Sequence, residues 1–320
     1  MVSTVRTLGG TSLEVHPLCL GGNVFGWTAD QEQSFAVLDA YAAAGGNFVD
    51  TADGYSAWAP GNSGGESETI IGNWMAARGN RDQIVVATKV GRLPTKQGLR
   101  AHTIREAAED SLERLQTDRI DLYYAHGDDD PDIPLAETLG AFDELVRAGK
   151  VRYIAASNYE VPRLAEALEV SEREGFASYE ALQPHYNLVE RDYERELMPL
   201  CREKGLPCLP YFALARGFLT GKYRPGGPEV DSPRAEDAVG YLDGRGAAVL
   251  GALDGIAAAH KTTVAAVSLA WLLAQPTVAA PIASARTPEQ LADLLPVAGL
   301  ELTPAELAQL DAASPVSRAA

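Results

Sequence analysis

Cysteine is scarce: Cys19, Cys201 and Cys208 are the only three in 320 residues, and no two of them form a Cys-x-x-Cys pair. An odd, scattered set offers neither a disulfide framework nor a zinc-ribbon spacing. Basic residues are also short, with 27 Lys plus Arg against 44 Asp plus Glu and a formal charge of −17. A chain this acidic repels phosphate backbones and anionic lipid surfaces, which argues against nucleic-acid and membrane partners. Any anionic ligand must therefore find a local cluster of cations. No apolar run approaches the ~20 residues of a spanning helix, and the opening residues MVSTVRTLGG carry no apolar signal core, so the expected compartment is the cytoplasm. His16, His102, His126, His185 and His260 show no HxH or HExxH spacing. No metal site is expected, and a metal-dependent hydrolase is disfavoured. A GxGxxG turn is missing too, since Gly9-Gly10 and Gly21-Gly22 lack its spacing.

What is present is an ordered alternation. With 46% hydrophobic and 22% charged residues the composition is globular, and the length suits two ordinary domains or one large barrel. The segment TVRTLGGTSLEV has two β-like stretches around Gly-Gly, a hairpin signal. Eight short runs rich in β-branched and aromatic residues follow: HPLCLGG, NFVDT, QIVVATK, RIDLYYAH, VRYIAAS, YEALQPHY, GLPCLPYF and TVAAPIA. Segments with helical periodicity separate most of them, and Thr103 with Glu106 three residues on marks one helix start. Apolar strands alternating with amphipathic helices predict a parallel sheet covered by helices. Eight units in about 300 residues predict an α/β fold, a (β/α)8 TIM barrel, with an N-terminal hairpin and extra helices after strands 7 and 8. No linker divides the chain, so residues 1–320 are read as one domain. The stretch from Leu214 to about Gly246, rich in Gly, Pro and charge, breaks the alternation and is read as a long functional loop.

In such a barrel, side chains at the C-terminal strand ends surround the mouth where chemistry happens. Several of these strands end in a polar residue. NFVD ends in Asp50, with Tyr55 five residues on; IVVATK ends in Lys89 and DLYYAH in His126; YIAASN ends in Ser157-Asn158, and YEALQPHYN passes through Gln183. Asp, Tyr, Lys and His gathered at one end must pair to be tolerated there. They also make an acid site. A Tyr hydroxyl has an unperturbed pKa near ~10, and an ammonium at Lys89 is expected to lower it. Asp50 would hold the Lys, and His126 would orient a substrate oxygen. Such a site donates a proton to a carbonyl oxygen as the carbon receives hydride, which calls for a nicotinamide cofactor.

The runs FVDTADGY, ATKVG, LYYAHGDD, ASNY, LQPHYNLVER, YFALARGFLTGKY and PIASARTPEQL resemble the aldo-keto reductases. The GFLTGKY segment is similar to the branch that holds bacterial reductases and potassium-channel β-subunits. The resemblance implies Asp50, Tyr55, Lys89 and His126 as the catalytic tetrad, with Tyr55 as general acid. It implies NADP(H), held at the barrel mouth: Ser157, Asn158 and Gln183 against the carboxamide, Tyr211 beneath the ring, and Leu214, Arg216, Gly217, Leu219, Gly221 and Lys222 along the pyrophosphate. Gly22, Asn23, Asp50, Ile282 and Ser284 complete the expected cofactor site, with Arg286 at the 2′-phosphate and Gln290 near the adenine ribose. The expected substrate is a small carbonyl compound, walled by Asn23, Trp27, Tyr55, Trp58, His126 and Tyr159, with Phe25 nearby. Three departures from the family pattern stand out. Ser284 and Leu294 replace a usual Gly and Asn at the adenine end. GDDDPD after His126 makes an acidic mouth, expected to disfavour carboxylate substrates. Phe212-Ala213 replaces Ser-Pro, expected to affect loop shape more than chemistry. A second reading stays open: a cofactor-binding regulatory subunit with residual catalysis.

Overall fold

The computed structural model describes residues 5–316; Thr4, the first residue of the expected hairpin segment, and both ends of the expected 1–320 domain lie outside the described residues. Strands β1 (Arg6–Thr7) and β2 (Glu14–Val15) pair antiparallel. Then come β3 (Cys19–Gly21), β4 (Phe48–Asp50), β5 (Val85–Val90), the short antiparallel pair β6 (Arg92–Leu93) and β7 (Lys96–Gln97), β8 (Ile120–Ala125), β9 (Val151–Ser157), β10 (Tyr179–Gln183) and β11 (Ile282–Ala283). Seven of them form a parallel sheet in the order β10-β9-β8-β5-β4-β3-β11.

The run GLPCLPYF does not form the continuous strand expected of it. Cys208 bridges Leu182 on one side and Val278 on the other. Its amide donates to the Thr277 carbonyl at 2.7 Å, and the Leu209 amide donates to the Leu182 carbonyl at 2.9 Å. These bonds join the two ends of the sheet. Pro207 and Pro210 lack the N–H groups that a regular ladder needs, which leaves single bridges in place of a strand.

The two-residue period of a strand sorts side chains between two cores. Val49, Val86, Tyr123, Ile154 and Leu182 face outward into the layer shared with the helices. Their neighbours Phe48, Val85, Ala87, Leu122, Tyr124, Ala155 and Ala181 face the barrel interior. Leu8, Leu13 and Val15, from the N-terminal strands and their connection, join that interior set and plug its lower end. The inward parity continues upward to Asp50 after Phe48, Lys89 after Ala87, His126 after Tyr124, Ser157 after Ala155 and Gln183 after Ala181. Strand pairing levels them: Asp50 lies opposite Ala87, Lys89 opposite Tyr124, and Gln183 opposite Ser157.

Helices cover the outside. Asp30 caps Gln31–Ala43 with a full capping box. The helix Ala101–Leu115 starts two residues before the expected Thr103, which is buried inside it. The Ala101 amide finds its acceptor in Glu137, a residue of the neighbouring helix Leu135–Arg147, so a tertiary partner replaces a local cap. The expected loop between Leu214 and Gly246 contains a tight turn over Ala215–Thr220 and the short helix Ala235–Val239. Among the described residues, no single helix is long and apolar enough to cross a membrane.

Candidate active site

At the C-terminal rim Lys89 is fully buried, with no solvent exposure. Its ammonium donates to Asp50 Oδ2 at 2.7 Å, to the Thr51 carbonyl at 2.7 Å and to the Tyr55 hydroxyl at 2.9 Å. Three acceptors for three protons satisfy it completely. The Tyr55 hydroxyl in turn donates to Asp50 Oδ2 across a longer 3.2 Å. Gln183 Nε2 donates to Asp50 Oδ1 at 2.9 Å. The His126 ring lies edge-on to the Tyr55 ring, centroids 6.0 Å apart. Its Nδ1 is buried without a hydrogen-bond partner. The tetrad residues are thus brought together at one end of the barrel.

Burial sets their protonation. Desolvation first, then the charge of Asp50 and the hydrogen bond to it, raise the Tyr55 phenol well above its ordinary value. The sequence led us to expect a phenol made acidic by Lys89. In the structure the resting phenol is raised instead, by burial first and then by Asp50, which is also the ion-pair partner of that ammonium. Burial also lowers the Lys89 pKa, against the opposing pull of Asp50. His126 is driven well below its ordinary value by burial and then by the charges of Lys89 and Arg92, which leaves it neutral at pH 7.

The upper rim opens into a cavity of about 750 Å³. Asn23, Ser157, Asn158, Tyr211, Leu214, Arg216, Gly217, Lys222, Ile282, Ser284, Arg286 and Gln290 all line it, beside Asp50 and Gln183. Asn158 has a left-handed backbone (φ 56°), a conformation its short polar side chain tolerates. From there its amide donates to the His126 carbonyl at 2.8 Å, and its oxygen accepts from the Tyr211 hydroxyl at 2.8 Å. The Tyr211 ring is backed by a near-parallel His185, centroids 5.3 Å apart. Ser284, where the family pattern has Gly, donates to Asn23 Oδ1 at 2.7 Å and ties two strand ends together. The Arg286 amide donates to the Gln290 side chain at 3.0 Å. Arg216 is ion-paired with Asp237 over the cavity.

A model of the Aldo/keto reductase family matches residues 17–315. The chain belongs to that family. Its relatives include the uncharacterized oxidoreductase YrpG of Bacillus subtilis, 35% identical over 92% of this chain and 91% of the relative. Protein tas of Escherichia coli is 32% identical over 94% and 95% of the two chains. The norsolorinic acid reductase stcV of Emericella nidulans is 35% identical over 93% of this chain and 78% of its own. Membership makes the protein an oxidoreductase of the aldo/keto reductase family, on the α/β-barrel fold that the family implies. The family generally uses a nicotinamide cofactor.

In this aldo/keto reductase several expected wall residues do not reach the cavity. Tyr159 is buried behind the sheet, its hydroxyl 2.9 Å from that of Tyr179 and its ring edge-on to it. The left-handed turn at Asn158 directs the next side chain outward, which the sequence does not show. Gly22 sits within the wall: a Cβ there would meet Ser67 Oγ at 2.8 Å and the Asp50 carbonyl at 3.1 Å. Phe25 and Leu219 are fully buried in the outer core, and Gly221, which ends the Ala215–Thr220 turn with a left-handed backbone, does not line the cavity although Thr220 and Lys222 on either side do. Trp27, Tyr55, Trp58 and His126 do line the cavity, with Trp27 and Trp58 edge-on at 5.6 Å and Trp58 half exposed. Sequence reasoning missed Arg92, Phe212 and Arg234, all of which line it. Phe212 was expected to affect loop shape more than chemistry, and its ring carries the Arg216 guanidinium 4.6 Å above it.

Behind the tetrad Asp53 is fully buried, and neither of its carboxylate oxygens has a partner. Burial and the nearby charge of Glu68 push its pKa up to about 7, only partly offset by the charge of Arg114. The folded protein therefore holds a proton that the unfolded chain releases near pH 4, so stability falls as pH rises from about 4 to 7. Asp53→Asn should raise the melting temperature at pH 8 and leave it nearly unchanged at pH 4.5. Equal gains at both pH values in thermal scans would count against this assignment.

Proposed function

We propose that the cavity is the active site of an NADP(H)-dependent reductase that converts aldehydes and ketones to alcohols. The observation that carries this reading is the Lys89–Tyr55–Asp50 hydrogen-bonded triangle beneath an open cavity, with the unpartnered nitrogen of His126 beside it. Residues 1–320 are taken as one domain, since strands drawn from residues 19–283 share one sheet.

The residues present fit a phosphorylated dinucleotide. Lys222 and Arg286 line the cavity and have no carboxylate partner among the described residues, which suits phosphate groups in an otherwise acidic protein. Tyr211 offers an aromatic surface, while Ser157, Asn158 and Gln183 offer hydroxyl and amide groups for a carboxamide. When bound, NADPH would supply hydride to the carbonyl carbon. Tyr55 would give its proton to the carbonyl oxygen. Its present bond to Asp50, at 3.2 Å, is long enough for a substrate oxygen to displace. Lys89 already donates to the phenol oxygen at 2.9 Å, so the phenolate left behind keeps an ammonium partner. The stabilisation expected from sequence thus operates as the proton leaves, rather than on the resting phenol. Neutral His126 would donate a hydrogen bond to the same carbonyl oxygen without adding a charge that stabilises the ground state.

Steady oxidation of NADPH in the presence of a panel of aldehydes tests the reading; tight NADPH binding with no turnover on any of them would make the chain a regulatory subunit instead. Arg286→Ala is expected to weaken NADPH at least tenfold and NADH less than twofold, because only the former carries the 2′-phosphate. Equal losses in a fluorescence titration would place Arg286 elsewhere.

A further inference from the structure

Asp53 takes no part in the chemistry proposed above, yet it sits in the segment that carries Tyr55. Residues 51–55 run on from β4 beside β5: the Thr51 amide donates to the Ala87 carbonyl at 2.8 Å, and the Asp53 amide to the Lys89 carbonyl at 3.2 Å. Beyond Tyr55 the backbone turns left-handed at Ser56 (φ 71°), whose hydroxyl donates to the Phe25 carbonyl at 2.8 Å. The next aromatic, Trp58, stands half exposed, its ring edge-on to Tyr55 at 6.0 Å. Asp53 is thus the foot of a short arm whose upper end holds Tyr55 and Trp58 at the cavity.

The foot stands where only a neutral acid is comfortable. Its side chain is fully buried, and neither carboxyl oxygen has a partner. Glu68, from the helix Glu66–Arg78, is fully buried nearby, with its two oxygens taken by the Thr88 hydroxyl and, at 2.7 Å, by Arg114 Nε. Arg114, from the helix Ala101–Leu115, is therefore committed to Glu68. Lys89 on β5 is committed to Asp50, and Tyr123 on β8 is uncharged. Ionised Asp53 would set two carboxylates against one guanidinium in a site shut off from water. Glu68 and Arg114 are anchored on two helices, whereas the arm meets β5 at this point through a bond of 3.2 Å. The arm is the part that yields.

We propose that Asp53 is a positioning residue: as a neutral acid it seats the arm of residues 51–58, and its ionisation displaces that arm, parting Tyr55 from Lys89 and Trp58 from Tyr55. The same burial and Glu68 charge that favour the protonated acid put this event within reach of neutral pH. Tyr55 stays protonated and His126 neutral throughout, one titrating well above that range and the other well below it. The movement itself needs no reductase activity; its effect on turnover rests on the carbonyl-reductase reading.

Tryptophan fluorescence of the wild type, followed from pH 5.5 to 8.5, should show a transition centred at about pH 7. Asp53→Asn, an uncharged copy of the acid, should stay flat, and Trp58→Phe should remove most of the change. In Glu68→Gln the midpoint should fall by about one unit or more, because the charge opposing ionisation is gone. For benzaldehyde at saturating NADPH, wild-type kcat/KM should fall at least fivefold between pH 6 and 8, while Asp53→Asn keeps its pH 6 value within twofold. The NADPH dissociation constant should stay within twofold in both proteins. A flat wild-type titration, or matching profiles in the wild type and Asp53→Asn, overturns the proposal whether or not turnover is seen. NADPH affinity that falls in step with kcat/KM places the effect on the cofactor and overturns it too. So does an unmoved midpoint in Glu68→Gln, which decides the matter if Asp53→Asn does not fold. A fluorescence transition that is lost in Asp53→Asn, in a protein that reduces no aldehyde, upholds the positioning role and removes the reductase reading instead.

Discussion

Replacing Tyr55 by Phe should lower kcat for aldehyde reduction by about two to four orders of magnitude, the usual contribution of a positioned general acid. The NADPH dissociation constant should stay within twofold, because the hydroxyl lies within the Lys89–Asp50 triangle and not among the cations and amides proposed for the dinucleotide. Single-turnover absorbance at saturating NADPH separates the two. A kcat close to that of the wild type would remove Tyr55 from the chemistry and with it the proposed function. The ring is edge-on to both Trp58 and His126, and Phe keeps those contacts, so a folding defect would not explain a loss.

The second large effect concerns the pair beneath it. Lys89→Met or Asp50→Asn alone leaves the other charge in a site shut off from water, which costs about 3–5 kcal/mol of stability. The ammonium and carboxylate meet at 2.7 Å with Lys89 fully buried, so the ammonium cannot recruit solvent as a substitute. The double variant Asp50→Asn/Lys89→Met should regain most of that stability, since no uncompensated charge remains, while turnover stays lost. Urea unfolding measures the first and NADPH oxidation the second. If the two single losses simply add in the double variant, the charges are not coupled as the geometry requires.

Much of this site was readable in the sequence because the physics of a strand is local. A run that alternates inward and outward and then ends in Asp, Lys or His carries its polar residue to the rim with the inward set, and strand pairing sets the height. Asp50, Lys89, His126, Ser157 and Gln183 were found for that reason. The failures have a common cause, which is that loop conformation is not periodic. Tyr159 was misplaced because one left-handed residue, Asn158, turns the next side chain away. Thr103 was misread as a helix start because the acceptor at the helix start is Glu137, thirty-six residues after Ala101 and visible only after folding. Arg234 escaped notice because the segment around it shows neither strand nor helix periodicity. The acidity of Tyr55 was misjudged because burial, and then the charge of Asp50, raise the phenol, and neither effect is visible from the mere presence of Lys89 in the sequence.

The inward parity of the strands constrains how this enzyme can diversify. Deleting one residue between Val85 and Lys89 would swing the ammonium into the greasy layer beneath the helices, so the strands tolerate no indels. Residues such as Trp27, Trp58 and Arg234 ride on segments free of that reading frame. Under the proposed function, new substrate preferences can therefore be tried there, one loop at a time, with the Asp50–Lys89–Tyr55 triangle left in phase.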